Sequence, residues 1–274
     1  MPSQPSTSTA HAATHAPCAI ILAAGMGKRM HSDLPKVLHP IGGRPMVHAV
    51  IDACRGAGCE RIVLIVGHRQ ELVREATAGV GVEYAVQSPQ LGTGHAVRCA
   101  EDLFAREKSG PGQPVFVLAG DGPLIRAATL RELLGRHRSS GAQATLATSV
   151  IDDPSGYGRI VRSASGTFVG IVEHKEASAE QLAIREVNPS YYCFDAVAMF
   201  DALSRVKRQA SNGEYYITDV PALLLSMGRR VEVIPAVPAE DVLSINTLEQ
   251  LAAVDAIYRS RGRSDERSGK GSLA

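Results

Sequence analysis

Near the start of the chain, Leu22-Ala23-Ala24-Gly25-Met26-Gly27-Lys28-Arg29-Met30 runs on to Leu34-Pro35-Lys36, an apolar run opening into glycines and then into cations. Glycines let backbone N–H groups turn toward an anion without side-chain obstruction. Arg29 and Lys36 can offset its charge, one through a planar fork and the other as a point charge. That is chemistry for a polyphosphate. The loop is not a P-loop, because Arg29 rather than Ser or Thr follows Lys28, and Met30 stands where a dinucleotide fingerprint needs a third glycine. Gly-x-Gly after a strand is also an ordinary surface turn; the added cations favour the anion.

A second segment, Val115-Phe116-Val117-Leu118-Ala119-Gly120-Asp121-Gly122-Pro123, puts a carboxylate just past a buried apolar run. Magnesium keeps several waters and takes one or two protein carboxylates beside phosphate oxygens, so Asp121 alone suffices as a carboxylate ligand. A turn or capping aspartate would read the same. The third segment is Gln87-Ser88-Pro89-Gln90-Leu91-Gly92-Thr93-Gly94-His95-Ala96. The Gln87 amide offers a donor and an acceptor to the edge of a planar base, and Gly92 admits a close backbone approach. Taken alone, this segment is an ordinary helix start.

These loops need elements to hold them. Short β-branched runs predict strands over Ala19 to Leu22, Ile62 to Val66, Val82 to Val86, Val115 to Leu118 and Ala144 to Val150. Amphipathic stretches predict helices over Pro45 to Arg55, Gln70 to Thr77, Gly94 to Phe104 and Ala127 to Arg138. Strands alternating with helices imply right-handed crossovers and a doubly wound, mostly parallel α/β sheet, whose ligands bind beyond the carboxyl ends of the strands. After Val150 the pattern changes to strands over Arg159 to Arg162, Thr167 to Val172 and Val187 to Phe194, with helices near Ala196 to Lys207 and Ile217 to Met227. This predicts a small β-rich lobe beside the sheet. A last strand, Val231 to Ile234, and a helix from Leu248 to about Tyr258 complete the fold, and no internal repeats occur.

With 274 residues and a formal charge of +1, the chain can bury an enzyme-sized core and lacks the electrostatic footprint of a nucleic-acid or membrane-surface binder. The expected partner is a small molecule; no nucleic acid and no membrane partner is expected, and a homo-oligomer is left open. Five cysteines, odd in number and without a C-x-x-C pair, read as buried thiols of a reducing cytoplasm. Residues 1–16 and 260–274 read as disordered tails, the first lacking both the basic start and the apolar stretch of a signal peptide. No apolar run approaches the roughly 20 residues that cross a bilayer, so a cytoplasmic protein is expected.

The motifs Leu22-Ala23-Ala24-Gly25-x-Gly-x-Arg29-Met30, Leu34-Pro35-Lys36, Gln90-Leu91-Gly92-Thr93-Gly94-His95-Ala96 and Gly156-Tyr157-Gly158-Arg159-Ile160 closely resemble the uridylyltransferase domain of bacterial N-acetylglucosamine-1-phosphate uridylyltransferases. The resemblance runs from about Ala19 to Tyr258 and keeps the family's order. It implies a Rossmann-like, GT-A-like nucleotidyltransferase domain over 17–259, with a nucleotide-binding part near 17–150 and a sugar-binding lobe near 151–235. The implied reaction joins UTP and the sugar-1-phosphate with Mg2+, giving UDP-N-acetylglucosamine and pyrophosphate. By this resemblance Leu22, Ala23, Ala24, Gly25, Gln87, Gly92 and Thr93 would hold the nucleoside, and Arg29 and Lys36 the phosphates. Asp121 and Asn246 would hold the metal, and Gly158, Glu173, Asn188, Tyr216 and Thr218 the sugar. Glu173, at a strand end, can accept two hydroxyls or stand as an exposed acid, and Tyr216 reads equally well as core packing. Thr247-Leu248-Glu249-Gln250 reads as a capping box in which Thr247 caps, leaving Asn246 free.

Departures from the family pattern accompany the match. Asn188 is followed by Pro189, Ser190 and bulky Tyr191 rather than by a small residue and glycine; Ala119 replaces a larger residue, and Gly122 is smaller than usual. Other sugar phosphates, CTP or dTTP, and a catalytically weak nucleotide-sugar sensor therefore stay open, with a Rossmann oxidoreductase a distant third. Nothing after Tyr258 resembles the hexapeptide repeats of the family's acetyltransferase β-helix, so acetyl transfer is not expected of this chain.

Overall fold

A computed structural model describes residues 15–109 and 112–270. The strands are β1 (Cys18–Leu22), β2 (Pro40–Ile41), β3 (Arg44–Pro45), β4 (Arg61–Val66), β5 (Glu83–Val86), β6 (Pro114–Ala119), β7 (Ala144–Val150), β8 (Gly158–Arg162), β9 (Phe168–Val172), β10 (Glu186–Asp195) and β11 (Val231–Ile234). The helices are α1 (Met46–Gly56), α2 (Gln70–Ala76), α3 (Thr93–Arg98), α4 (Ala127–Ser140), α5 (Ala179–Leu182), α6 (Ala196–Arg205), α7 (Val220–Ser226) and α8 (Leu248–Lys270). The main sheet has the order β11-β7-β10-β6-β1-β4-β5, with β8 on β10 and β9 on β8. Strands β5, β4, β1 and β6 pair in parallel, as do β7 and β11, while β10 runs antiparallel between β6 and β7.

Alternation explains why the inner strands read as continuous apolar runs. Ile20, Val63 and Val117 pack into the core on one face, with Phe104 and Phe200; Ile21, Leu64, Phe116 and Leu118 pack on the other, with Leu130 and Leu133. A strand covered on both faces has no polar side to show. Helix α4 buries Leu130, Leu133, Leu134 and His137 along one stripe and ends on Gly141, whose φ of +64° supplies a left-handed stop. Helix α6 starts on Asp195, whose carboxylate accepts from Ala198 N at 3.0 Å.

The structure shows the α/β architecture with a mostly parallel central sheet and redraws some elements. The predicted helix over Gly94 to Phe104 divides into α3 and a 3-10 turn at Glu101–Phe104. The last helix does not stop near Tyr258; it runs to Lys270, held by an Asp255–Arg259 pair one turn apart and by Arg261, which donates to Leu124 O at 3.1 Å. Of the two expected tails, residues 1–14 and 271–274 lie outside the described residues, while His15 and Ala16 lend carbonyls to Arg138 and Gln113. The β-rich lobe is not a separate layer. Its longest strand, β10, carries Asn188 against Gly158 of β8 at one end and enters the main sheet between β6 and β7 at the other.

The change of partner is made by a bulge: Val187 pairs with Ser149 and Tyr191 with Ala147, and between them Ser190 takes φ +64° with its N–H on Asn188 Oδ1 at 3.2 Å. The left-handed position is one that glycine takes at no steric cost. The glycine that the resemblance would place after this asparagine fits the position, and Ser190 is strained in it. Replacing Ser190 by Gly is expected to stabilise the chain by about 0.5–1 kcal/mol, the left-handed penalty less glycine's extra chain entropy, and Ser190→Val to destabilise it. Urea denaturation checks both signs.

Candidate active site

Three loops leave the carboxyl edge of the parallel strands, and backbone bonds tie them to one another. Ala23 N donates to Ile65 O at 2.9 Å, Gly120 N to Leu22 O at 3.0 Å and Gln87 N to Val66 O at 2.8 Å. A fourth segment, before α8, joins them where Ile245 N donates to Asp121 O at 3.1 Å. Beneath this junction Met30, Leu124 and Ile245 share a small buried cluster with Ile41, Met46 and Val254. Each of the first three lies within three residues of Arg29, Asp121 or Asn246, so this apolar contact sets where those polar groups emerge.

The polar groups converge on one atom. Lys36 Nζ forms an ion pair with Asp121 Oδ2 and donates to Asn246 Oδ1 at 2.6 Å, while Arg29 Nη2 donates to the same oxygen at 2.8 Å. Gly27 permits this: a Cβ there would stand 2.9 Å from Lys36 Cβ. Thr247 caps the helix as expected, Gln250 N donating to its Oγ1 at 3.3 Å, while the Gln250 side chain accepts from Asn246 N at 2.7 Å rather than from Thr247 N as a capping box would. The Asn246 side chain is therefore free of the helix cap and turns to the cations.

Two cavities meet at this point. The larger, about 570 Å³, is lined by Leu22, Ala24, Gly25 and Lys36 on one side and by Gln87, Gly92 and Thr93 on the other. The smaller, about 310 Å³, is lined by Arg29, Gly158, Glu173, Asn188 and Asn246. Ala119 and Asp121 line both. Ala119 thus stands at the passage between the cavities, where a larger residue would narrow it. A Cβ on Gly25 would meet nothing within 4 Å, so the first glycine leaves open room on the cavity floor.

Several expected residues are placed differently from their sequence reading. A Cβ on Gly92 would stand 2.6 Å from Tyr215 O, so the close approach that this glycine permits is made by the chain itself. Thr93 Oγ1 accepts from Ile217 N at 3.1 Å, and Gln87 Nε2 donates to Gly92 O at 2.9 Å, so both brace the loop that forms the cavity wall. Tyr216 and Thr218 line neither cavity: Tyr216 is buried with its hydroxyl on Asn212, and Thr218 Oγ1 donates to Glu173 Oε1 at 2.9 Å. Ala23 is buried under the loop. Arg29 lines the smaller cavity rather than the larger. Sequence reasoning passed over Gln90, whose amide holds Ala24 O, and Glu214 and Tyr157, which line the walls. Gln90 and Tyr157 lie inside motifs whose other residues carry the reading, and Glu214 lies outside them.

Burial also acts on the acid of the smaller cavity. Desolvation raises the Glu173 carboxyl above the usual range, the Thr218 hydrogen bond opposes this, and Asp219, Glu214 and Glu176 push the same way as burial. Asn188 is 4% exposed and spends one amide hydrogen on Tyr192 Oη at 2.6 Å, which leaves one hydrogen and one oxygen lone pair for a ligand.

A family model described as a MobA-like NTP transferase domain matches residues 19–214. The chain belongs to that family. The Bifunctional protein GlmU of Clostridium acetobutylicum is 44% identical over 244 residues, covering 89% of this chain and 52% of the relative. That of Shouchella clausii is 44% identical over 243 residues, with the same shares. The chain therefore spans about half the length of these curated relatives. Among solved structures, a UDP-glucose pyrophosphorylase complexed with UDP-glucose aligns with TM-score 0.69 at 18% identity, covering 90% of this chain and all of that one. A Bacillus anthracis chain assigned as a glucose-1-phosphate thymidylyltransferase aligns with TM-score 0.72 at 21% identity, covering 89% and 96%. At such identities the likeness shows the fold. Family membership places this chain among the nucleotidyltransferases, and among the described residues no helix is long and apolar enough to cross a membrane. All five cysteines of this family member are free thiols, with Cys18, Cys54, Cys59 and Cys193 buried.

If Glu173 accepts hydrogen bonds from a ligand in the smaller cavity, binding there weakens as pH falls through its raised pKa, at a higher pH than an ordinary glutamate would dictate. Ligand affinity measured across pH 4 to 8 is expected to decline on the acid side, and Glu173→Gln is expected to flatten the profile.

Proposed function

We propose that the chain joins UTP to N-acetylglucosamine-1-phosphate, forming UDP-N-acetylglucosamine and pyrophosphate with Mg2+, in the cytoplasm. The observation that carries this reading is that the two cavities meet at Asp121, beside Lys36, Arg29 and Asn246. The larger cavity, with its open glycine floor, suits a nucleoside triphosphate; the smaller, lined by Glu173 and Asn188, suits a sugar bearing hydroxyls and an acetamido group. The choice of uracil and of this sugar follows the resemblance of the loop motifs and the 44% identity to GlmU proteins.

The donor set fits a hard divalent cation. Asp121 offers a carboxylate oxygen and Asn246 an amide oxygen, and both lie within hydrogen-bond reach of one ammonium, so a single cation can contact the two. Among the described residues no group of three or more His, Cys, Asp or Glu could hold a metal. A site with two protein oxygens therefore relies on phosphate oxygens and water for its remaining ligands. Bound there, Mg2+ supplies positive charge to phosphate oxygens.

The chemistry left to the protein is placement and charge. A sugar-phosphate oxygen attacks the α-phosphorus of UTP; the new O–P bond forms as the bond to the β-phosphate oxygen breaks, and pyrophosphate leaves with that electron pair. A phosphate monoester has a second pKa of about 6 and is already largely dianionic near neutrality, so no general base is needed. Lys36, on a flexible stem, can turn its ammonium from Asp121 to the developing charge, and Arg29 faces the incoming phosphate from the smaller cavity. Glu173 and Asn188 hold the sugar so that its phosphate points through the passage at Ala119.

Pyrophosphate release across a panel of sugar phosphates and triphosphates tests the reading, and UTP with N-acetylglucosamine-1-phosphate is expected to give the highest kcat/KM. Lys36→Ala and Arg29→Ala are each expected to lower the rate on the order of 10²-fold through lost charge stabilisation. Asp121→Ala should abolish magnesium-dependent turnover while keeping the fold. Near-normal pyrophosphate release from Asp121→Ala at limiting Mg2+ would remove the metal assignment, and a different preferred pair would redirect the substrate assignment.

A further inference from the structure

Two departures from the family pattern lie side by side. Tyr191, 2% exposed, lies against Gly122: a Cβ on Gly122 would stand 3.6 Å from Tyr191 Oη and 3.9 Å from its Cε1. A first side-chain carbon on Gly122 would make ordinary contact with the Tyr191 ring, so the two positions are packing neighbours. The Tyr191 hydroxyl reaches across to donate to Asp241 O at 3.0 Å.

Asp241 is itself unusual, a carboxylate 1% exposed. Arg126 reads it with both prongs, Nε to Oδ2 at 2.5 Å and Nη2 to Oδ1 at 2.9 Å, and Arg261 of α8 pairs with Oδ1 from the other side. Arg261 also donates to Leu124 O at 3.1 Å. Arg126 stands five residues after Asp121, and Asp241 five before Asn246. The Ile245 N to Asp121 O bond lies between these two arms. Tyr191, Arg126, Asp241 and Arg261 line neither cavity.

Stability alone does not account for this arrangement. Burying the Asp241 carboxylate costs much of what its partly exposed guanidinium partners return, and apolar replacements of buried ion pairs are often neutral or better. What a bidentate pair on a buried carboxylate does fix is distance. Magnesium demands near-ideal octahedral geometry with oxygens at about 2.0–2.1 Å, so a small slip of Asn246 against Asp121 would be felt by the ion. The nucleotide cavity has Asp121 only at its edge and is otherwise built largely on the loops after β1 and β5, so it would feel such a slip less.

We propose that Asp241, Arg126, Arg261 and Tyr191 form a brace of positioning residues that sets the spacing of Asp121 and Asn246 for a divalent cation. The brace rests on the reading of those two residues as cation ligands.

The test uses the full chain and Mn2+ as probe, with free Mn2+ followed by electron paramagnetic resonance and UTP affinity measured separately in chelator. Asp241→Asn and Arg126→Ala are each expected to weaken Mn2+ binding about 10-fold or more, as loss of an outer partner of a metal ligand does. UTP affinity without metal should stay within about 2-fold, because the brace lies outside the larger cavity. Arg126→Lys, which keeps the charge and loses the fork, should recover only part of the Mn2+ affinity. In turnover the loss should appear as a raised KM for Mg2+ that added Mg2+ overcomes. If Asp241→Asn does not fold, Arg126→Ala, at a half-exposed position, and Tyr191→Phe decide the matter. Folded variants with unchanged Mn2+ affinity, or with UTP affinity falling in step, would overturn the brace. Unchanged Mn2+ binding in Asp121→Asn would instead remove the ligand reading, and the brace with it.

Discussion

The Asp121 carboxylate and the Asn246 amide oxygen point at the same small volume, and the oxygens would repel one another without positive charge between them. In the structure the Lys36 ammonium supplies that charge, with Arg29 at its flank. The pair is partly buried, with the Lys36 side chain 14% exposed, so water screens it less than a surface ion pair. Much of the local design serves this meeting. Gly27 leaves the side of Lys36 clear, the Met30–Leu124–Ile245 cluster anchors the three converging segments, and the Thr247 cap releases Asn246 from helix duty.

The sheet makes the meeting possible by bringing β1, β4, β5 and β6 to one edge in parallel, so that their loops open on the same side. The antiparallel β10 adds what a purely parallel sheet could not. It runs back from the lobe into the core, so the strand that presents Asn188 to the smaller cavity also supplies Tyr191 beneath the Asp121 loop. One strand therefore runs from the smaller cavity to the Asp121 loop, and the bulge at Ser190 lies between the two.

Most of this architecture is legible in the residues, for reasons that can be named. Buried parallel strands show as β-branched runs, and the predicted spans Ala144 to Val150 and Val231 to Ile234 match β7 and β11 at both ends. Glycine loops after such strands point to the edge where the site lies. Helix α3 was overextended because Ala96, Val97, Ala100 and Phe104 keep one apolar side through a change from α to 3-10 geometry. Helix α8 was cut short because its continuation has no apolar stripe; it is held by the charges of Asp255, Arg259 and Arg261, and Arg261 finds its partners at Leu124 and Asp241. Gly92 reads as leave for a close backbone approach and lines the larger cavity, and the backbone that approaches it is that of Tyr215, more than a hundred residues away in the chain. What remained illegible is of that kind: pairings such as Arg126 with Asp241, or Tyr191 with Gly122, where each residue alone reads as an ordinary charge, ring or turn.

The central claim is that Asp121 and Asn246 together hold a divalent cation against a nucleotide's phosphates. An anomalous difference map from crystals grown with Mn2+ and UTP tests it most directly. The account predicts one strong peak within coordination distance of Asp121 and Asn246 oxygens and of a phosphate oxygen, with the Lys36 ammonium moved from Asp121 onto the triphosphate. A triphosphate seated in the larger cavity with its Mn2+ away from both residues, and Lys36 still on Asp121, would contradict it.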